Sequence, residues 1–416
     1  MQKTPKSNRL QIGIFGRTNV GKSSLLNYIA DQNIAITSAV PGTTTDVVEK
    51  AMELLPLGPV LFVDTAGLDD QSELAALRIE KTRQVFDRID IALVVVEANS
   101  LSDVECDLFK GLSARGTPVI AIINKSDLQK ASDDFKSQIR AFTSFLLELS
   151  ATNPQEREST RNRLKQLLID ACPEDFVNSQ SLIGDLLSAG ELVVMMVPID
   201  LQAPKGRLIL PQVQAIRDAL DNDAAAMVVK DREFTAILDQ LRAPPALVIC
   251  DSQVVLKMVA ETPSNVRCTT FSILFSRNRG DLNEAARGVS AVKTLRAGDK
   301  VLIAEACSHH AAQDDIGRVK IPRWVRQYVG QDLHFDVNSG IDYPENLSEY
   351  KLVIHCGGCM LNRRAMLSRI QRAREAAVPI TNYGVCISYV QGVLERVLSP
   401  FPAALDAFRQ RASQAH

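Results

Sequence analysis

The chain has 416 residues, a formal net charge of −2 and 46% hydrophobic residues. That length predicts two or three globular domains. The near-neutral charge excludes a strong overall electrostatic footprint for nucleic acid or for a lipid surface. The polar opening, with Lys3, Lys6 and Arg9, has no apolar signal core, and the runs at 91–96 and 192–197 are too short to cross a bilayer. A cytoplasmic protein is expected.

Strand-like apolar runs at 10–15, 60–64, 91–97 and 118–124 alternate with helical stretches at 22–30 and 73–87, the pattern of parallel strands with crossover helices. The first domain is placed at 8–173. A second α/β block, 181–266, carries strand-like runs at 191–198, 226–230, 246–250 and, just past its end, 269–275. It has no chemical signature, so interaction or dimerisation is its default role. A third α/β block, 267–416, has strand-like runs at 300–305, 334–337, 352–355 and 379–382. Helices are expected at 281–295 and 363–377. No internal sequence repeat is evident.

The first block holds a phosphate loop, Gly16-Arg17-Thr18-Asn19-Val20-Gly21-Lys22-Ser23, between a strand and a helix. Its glycines let backbone amides wrap phosphates; the site is expected to use Gly16, Asn19, Val20, Gly21, Lys22, Ser23 and Ser24. Lys22 would neutralise the β and γ phosphates and Ser23 would bind magnesium. Asp64-Thr65-Ala66-Gly67 follows the next parallel strand, with Asp64 expected on magnesium through water and the Gly67 amide on the γ-phosphate. Asn124-Lys125-Ser126-Asp127 ends another strand, and Ser150-Ala151 fits a base-supporting loop. Asp127 can accept from the N1 and amino hydrogens of guanine, which adenine does not offer, so GTP is expected. Thr44, within Pro41-Gly42-Thr43-Thr44-Thr45-Asp46, would complete the magnesium shell; this stretch resembles the first switch of translation-factor-like GTPases allied to tRNA-modifying and ribosome-assembly families. Leu68 follows Gly67 and cannot orient water, so slow hydrolysis is expected. Asn19 resembles the phosphate-loop asparagine of potassium-stimulated GTPases, which makes it a candidate K+ ligand.

Of eight cysteines, Cys106, Cys172, Cys250, Cys268 and Cys386 stand singly and read as small buried hydrophobes. The other three are clustered. Cys307-Ser308-His309 and His355-Cys356-Gly357-Gly358-Cys359 each follow a strand-like run. Thiolates in this pattern serve zinc or an iron–sulfur cluster, and spacing alone leaves both open. His309 and His355 are candidate further ligands. The arginine-rich stretch at 363–374 reads as a solvated or partner-facing helix surface.

The order of phosphate loop, featureless α/β block, Cys-x-His, a gap from 310 to 354 and His-Cys-x-x-Cys resembles the FeFe-hydrogenase maturation GTPases (HydF) over essentially the whole chain. The resemblance implies a GTPase domain, a dimerisation domain and a last domain carrying a 4Fe–4S cluster on Cys307, Cys356 and Cys359. It also implies a homodimer or larger homo-oligomer that acts as a scaffold. Such a scaffold receives a di-iron precursor made with the radical-SAM maturases HydE and HydG and delivers it to apo FeFe-hydrogenase. The competing expectation is a ribosome- or tRNA-associated GTPase with a structural zinc domain, which the absence of a basic stripe argues against.

Overall fold

The computed structural model describes residues 4–30, 48–65, 84–177, 181–198, 208–306, 315–340, 343–344 and 346–414. The chain divides into two compact units, Met1–Ser179 and Gln180–His416.

The first unit is built on β1 (Leu10–Phe15), β2 (Val48–Leu54), β3 (Gly58–Asp64), β4 (Ile91–Glu97), β5 (Val119–Asn124) and β6 (Phe145–Glu148), in the order β2-β3-β1-β4-β5-β6. All neighbours run parallel except β2, which lies antiparallel on β3. Strands β1, β4 and β5 are nearly continuous apolar runs because helices cover both faces. On one face Ile12 and Ile14 pack with Leu25, Leu164 and Leu168; on the other Phe15 and Val94 pack with Phe109, Phe135 and Ile139. The loop after β1 lies where neighbours β3 and β4 diverge from it, the position at which open α/β sheets bind ligands. The expected helix at 22–30 is observed as Lys22–Ala30. Strand β2, an exposed edge with the sequence VEKAMEL, was not among the expected strands.

The second unit carries two four-stranded parallel sheets. One contains β7 (Leu192–Met196), β8 (Ala225–Val229), β9 (Leu247–Cys250) and β10 (Arg267–Thr270), ordered β10-β9-β7-β8. The other contains β11 (Lys300–Glu305), β12 (His334–Ser339), β13 (Leu352–His355) and β14 (Ile380–Asn382), ordered β12-β11-β13-β14. Residues 267–270, placed by sequence in the last domain, pair with β9 and so belong to the earlier sheet. The stretch 269–275 is not one strand. Thr270 ends β10, and its hydroxyl accepts from the Ile273 amide to start the helix Phe271–Arg279. The helix expected at 281–295 is Leu282–Gly288 followed by a 3-10 segment, Val289–Thr294.

The two sheets are copies of one plan. Read from its own first strand, each has the order second-first-third-fourth. Thr269, Thr270, Ser276, Gly280 and Leu282 stand, at a constant offset, where Thr381, Asn382, Ser388, Gly392 and Leu394 stand in the second copy. Thr270 and Asn382 are matching N-caps, of helices Phe271–Arg279 and Tyr383–Val390. Equivalent residues meet at the junction: the Gly384 amide donates to Ser272 Oγ at 3.1 Å, and Asn382 Nδ2 donates to the Ser272 carbonyl at 2.8 Å. The unit therefore contains an internal repeat. One apolar core runs through both copies, from Val193, Val248 and Phe234 to Val301, Ile354 and Val397.

Among the described residues no helix is long and apolar enough to cross a membrane.

Candidate functional site

The phosphate loop is shaped by backbone that side chains would obstruct. Gly16 and Gly21 have positive φ, 146° and 96°. A Cβ on Gly16 would come within 2.3 Å of the Val95 carbonyl oxygen, and one on Gly21 within 2.2 Å of Asn124 Nδ2. Asn19 also adopts positive φ, 64°, at an exposed position. Val20 is buried, while Ser24 is exposed on the first turn of helix Lys22–Ala30. The buried Lys22 ammonium sits inside the loop, donating to the carbonyls of Gly16 at 3.0 Å and Arg17 at 2.8 Å. Arg17 is turned aside: Nε donates to the fully buried Glu105 at 2.9 Å and Nη2 to Ser100 Oγ at 2.9 Å. Glu105 also closes a capping box with Ser102. No motif marks the Arg17–Glu105 pair, and sequence reading missed it.

Ser23 Oγ donates to Asp64 Oδ2 at 2.8 Å, which joins the start of the helix to the end of β3. Asp64 is 8% exposed, and burial raises its pKa against the opposing pull of Ser23 and Lys22. Its other oxygen, Oδ1, is buried with no hydrogen-bond partner. A hydroxyl and a carboxylate with a spare buried oxygen beside a phosphate loop fit a hydrated divalent cation. Thr44 and Gly67 lie outside the described residues, as does the rest of both expected switches beyond Thr65.

Asn124 works as a tie. Its Nδ2 donates to the Val20 carbonyl at 2.8 Å and its Oδ1 accepts from the Ala151 amide at 3.1 Å, linking phosphate loop, β5 and base loop. Lys125 has positive φ and pairs with Glu97. Asp127 is exposed, and a hydrogen bond from Ser150 holds its carboxyl below the usual range, with its own amide assisting. The aspartate is thus ionised and aimed by Ser150, as an acceptor for guanine requires.

The thiols lie in the last sheet. Cys356 and Cys359, both half-buried, occupy the turn after β13, next to the end of β11. Gly358 turns the chain with φ of 67°, and the Leu361 amide closes the turn on the Gly358 carbonyl at 2.9 Å. The Ala306 amide donates to Cys356 Sγ at 3.1 Å. Cys307 and His309 lie outside the described residues, but Ala306, the residue before Cys307, is already on the Cys356 sulfur. Glu305 behind it is buried and bonded to Arg318 at 3.0 Å and Ser339 at 2.8 Å. Among the described residues no group of three or more His, Cys, Asp or Glu side chains is gathered for a metal. The thiol pair on a glycine turn, with backbone N–H directed at sulfur, fits thiolate-held metal chemistry.

His355 was expected as a candidate ligand, and its geometry differs. The ring is fully buried, with Nε2 2.9 Å from Arg369 Nη1 and Nδ1 2.8 Å from the Cys356 carbonyl. A guanidinium can only donate, so Nε2 accepts and Nδ1–H donates to the carbonyl. Both nitrogens are engaged, and the ring supports the thiol turn instead of facing a metal. Burial and Arg369 push its pKa down to about 3, so it is neutral. Arg369 also bonds the Gly340 carbonyl at 2.7 Å and lies over the Tyr343 ring at 4.9 Å. The arginines at 363–374, expected on a solvated or partner-facing surface, include this buried one. Of the single cysteines Cys250, Cys268 and Cys386 are buried, and burial raises all three thiols; Cys106 and Cys172 are half-buried.

Comparison with known proteins matches residues 11–125 to the 50S ribosome-binding GTPase model. Residues 182–280 match the hydrogen maturase F dimerization domain, and residues 283–400 its tetramerization domain. The tRNA modification GTPase MnmE of Carboxydothermus hydrogenoformans is 33% identical over 231 residues, 50% of this chain and 48% of its own. That of Heliobacterium modesticaldum is 40% identical over 116 residues, 28% of this chain and 24% of its own. The chain thus spans less than half the length of these relatives. A crystal structure of Aquifex aeolicus Era bound to GDP.AlF4- aligns with 53% of this chain and 94% of that one, at 18% identity and a TM-score of 0.34. Two adjoining matches to one family span residues 182–280 and 283–400, the thiol turn included, behind a P-loop GTPase domain: the chain belongs to the hydrogen maturase F family.

Proposed function

We propose that this protein is a GTP-hydrolysing scaffold and carrier in FeFe-hydrogenase maturation. In this reading Cys307, Cys356 and Cys359 hold a 4Fe–4S cluster, and the protein receives a di-iron precursor made with HydE and HydG and delivers it to apo-hydrogenase. The observation that carries it is the Cys356–Cys359 turn at the end of β13, with the approach to Cys307 hydrogen-bonded onto the Cys356 sulfur. When bound, the cluster supplies an iron on which an incoming group can dock. The protein's own part is to present the thiolates: His355 fixes the Cys356 carbonyl, Arg369 fixes His355, and Glu305 anchors the end of β11. His309 remains a candidate further ligand on sequence alone. The chain assembles as a homodimer or larger homo-oligomer, in keeping with the family's two association domains.

The nucleotide domain acts as the switch. Lys22 neutralises the phosphates, Ser23 and Thr44 complete the magnesium shell with Asp64 behind, the Gly67 amide meets the γ-phosphate and Asp127 selects guanine. GTP biases association with the maturases or hydrogenase by shifting populations of the switch segments. Hydrolysis is slow and stimulated by K+ at Asn19; equal rates in K+ and Na+ at matched ionic strength would remove that role.

The test is anaerobic reconstitution of wild type beside Cys307→Ala, Cys356→Ala and Cys359→Ala, with iron, sulfide and zinc analysis and EPR of the reduced proteins. The expected result is a reduced-cluster signal with near-equal iron and sulfide, lost in each variant. Tight zinc without a stable cluster would overturn the reading in favour of a zinc-bearing GTPase.

A further inference from the structure

Arg279 ends helix Phe271–Arg279 in the first copy of the repeat, yet it serves the thiol turn of the second. The residue is 8% exposed, and its Nη1 donates to the Leu361 carbonyl, two residues past Cys359, at 3.3 Å. Arg363 straps the same junction from the other side, its Nη1 donating to the carbonyls of Asn278 and Gly280, each at 3.0 Å. A cation is therefore buried beside the segment that leaves the Cys356–Cys359 turn. Burial lowers the Arg279 pKa to about 10, and the charge on Cys359 opposes that shift. A buried guanidinium is costly unless negative charge lies near.

The repeat supplies an internal comparison. The turn after β9, Asp251-Ser252-Gln253-Val254, stands where Cys356-Gly357-Gly358-Cys359 stands after β13. Gln391, at the position matching Arg279, lies in the copy that bears the thiol turn. Arg279 thus reaches the thiol turn across the junction, from the copy whose own turn has no thiol, and its counterpart in the other copy is neutral. Packing alone would not require that pairing, since glutamine fills the equivalent place.

We propose that Arg279 is a positioning residue for the metal group, its buried guanidinium serving as the counter-charge to the thiolate ligand at Cys359. This rests on the reading of those cysteines as cluster ligands. A fixed positive charge close to a thiolate-bound cluster favours the state with one more electron, and so raises the reduction potential.

The experiment uses the full chain as wild type, Arg279→Gln and Arg279→Lys. Each is reconstituted with iron and sulfide and titrated redox-potentiometrically by EPR. In parallel, the metal-free proteins are alkylated with iodoacetamide and Cys359 labelling is followed by mass spectrometry. Arg279→Gln is expected to bind iron as wild type does but to be about tenfold harder to reduce, a shift of ~59 mV for one electron. Its Cys359 is expected to alkylate about tenfold more slowly, and Arg279→Lys to restore both values. Unchanged potential and alkylation in Arg279→Gln overturn the proposal. Should Arg279→Gln unfold, Arg279→Lys decides: wild-type values support the charge role, and a shift despite the retained charge overturns it. A wild type that holds no cluster defeats the reading of the cysteines, while the alkylation rates still decide the role of Arg279.

Discussion

Asp64 and Asn124 are buried polar groups used in opposite ways. Asp64 keeps one carboxylate oxygen unpartnered in a buried place, so its ionised form destabilises the nucleotide-free fold. Asp64→Asn should raise stability at neutral pH by on the order of 1–3 kcal/mol while abolishing magnesium-dependent GTP hydrolysis. The sign follows from its raised pKa: native protein binds more protons than unfolded, so the burden appears as pH climbs above the ordinary carboxyl range. The stability gap between variant and wild type, measured by denaturation, should shrink as pH falls towards 4. Asn124 has both ends of its amide satisfied, and Asn124→Ala should cost roughly 2–4 kcal/mol and weaken GTP binding through the loosened loops; intact stability would remove its role as a tie. Sequence placed Lys22, Ser23, Asp64, Asn124 and Asp127 because their spacing is tied to strand ends. It could not separate support from ligation at His355, since that depends on Arg369, distant in the chain and brought near only by packing.

Fully buried strands such as β1, β4 and β5 were legible as short apolar runs bounded by polar turns. The same rule failed at 269–275, where Phe271, Ile273, Leu274 and Phe275 are all buried in a helix and show no one-sided pattern. Strand β2 escaped for the contrary reason: its side chains are mostly exposed or half-buried, and its pairing with β3 decides its state. The junction of the repeat offers a test at this scale. A Cβ on Gly384 would lie 2.8 Å from Ser272 Cβ and 2.9 Å from Thr270 Oγ1. Gly384→Ala should destabilise the protein by about 1–3 kcal/mol, and Ser272→Gly in the same chain should recover part of that. No loss on thermal unfolding would mean that the junction yields more easily than its packing indicates.

The three α/β blocks were legible along the sequence, but not how the last two combine. Their shared form is carried by a few positions, with Asn382 standing where Thr270 does and Gly384 where Ser272 does, too few to mark the repeat in the sequence. One core joins them, with Val193 and Val301 members of the same apolar interior. A fragment 181–416 should therefore fold alone, whereas 281–416 should show no dispersed amide spectrum by NMR. A well-folded 281–416 fragment would show that the last sheet is self-sufficient.

The common interior also governs how force passes through this half of the protein. Neither sheet can turn against the other without opening apolar surface to water, so the pair responds as a stiff beam, not as beads on a string. A load placed on the sheet of β7 to β10 passes straight into the junction where Arg279 holds the Leu361 carbonyl, just past the Cys356–Cys359 turn.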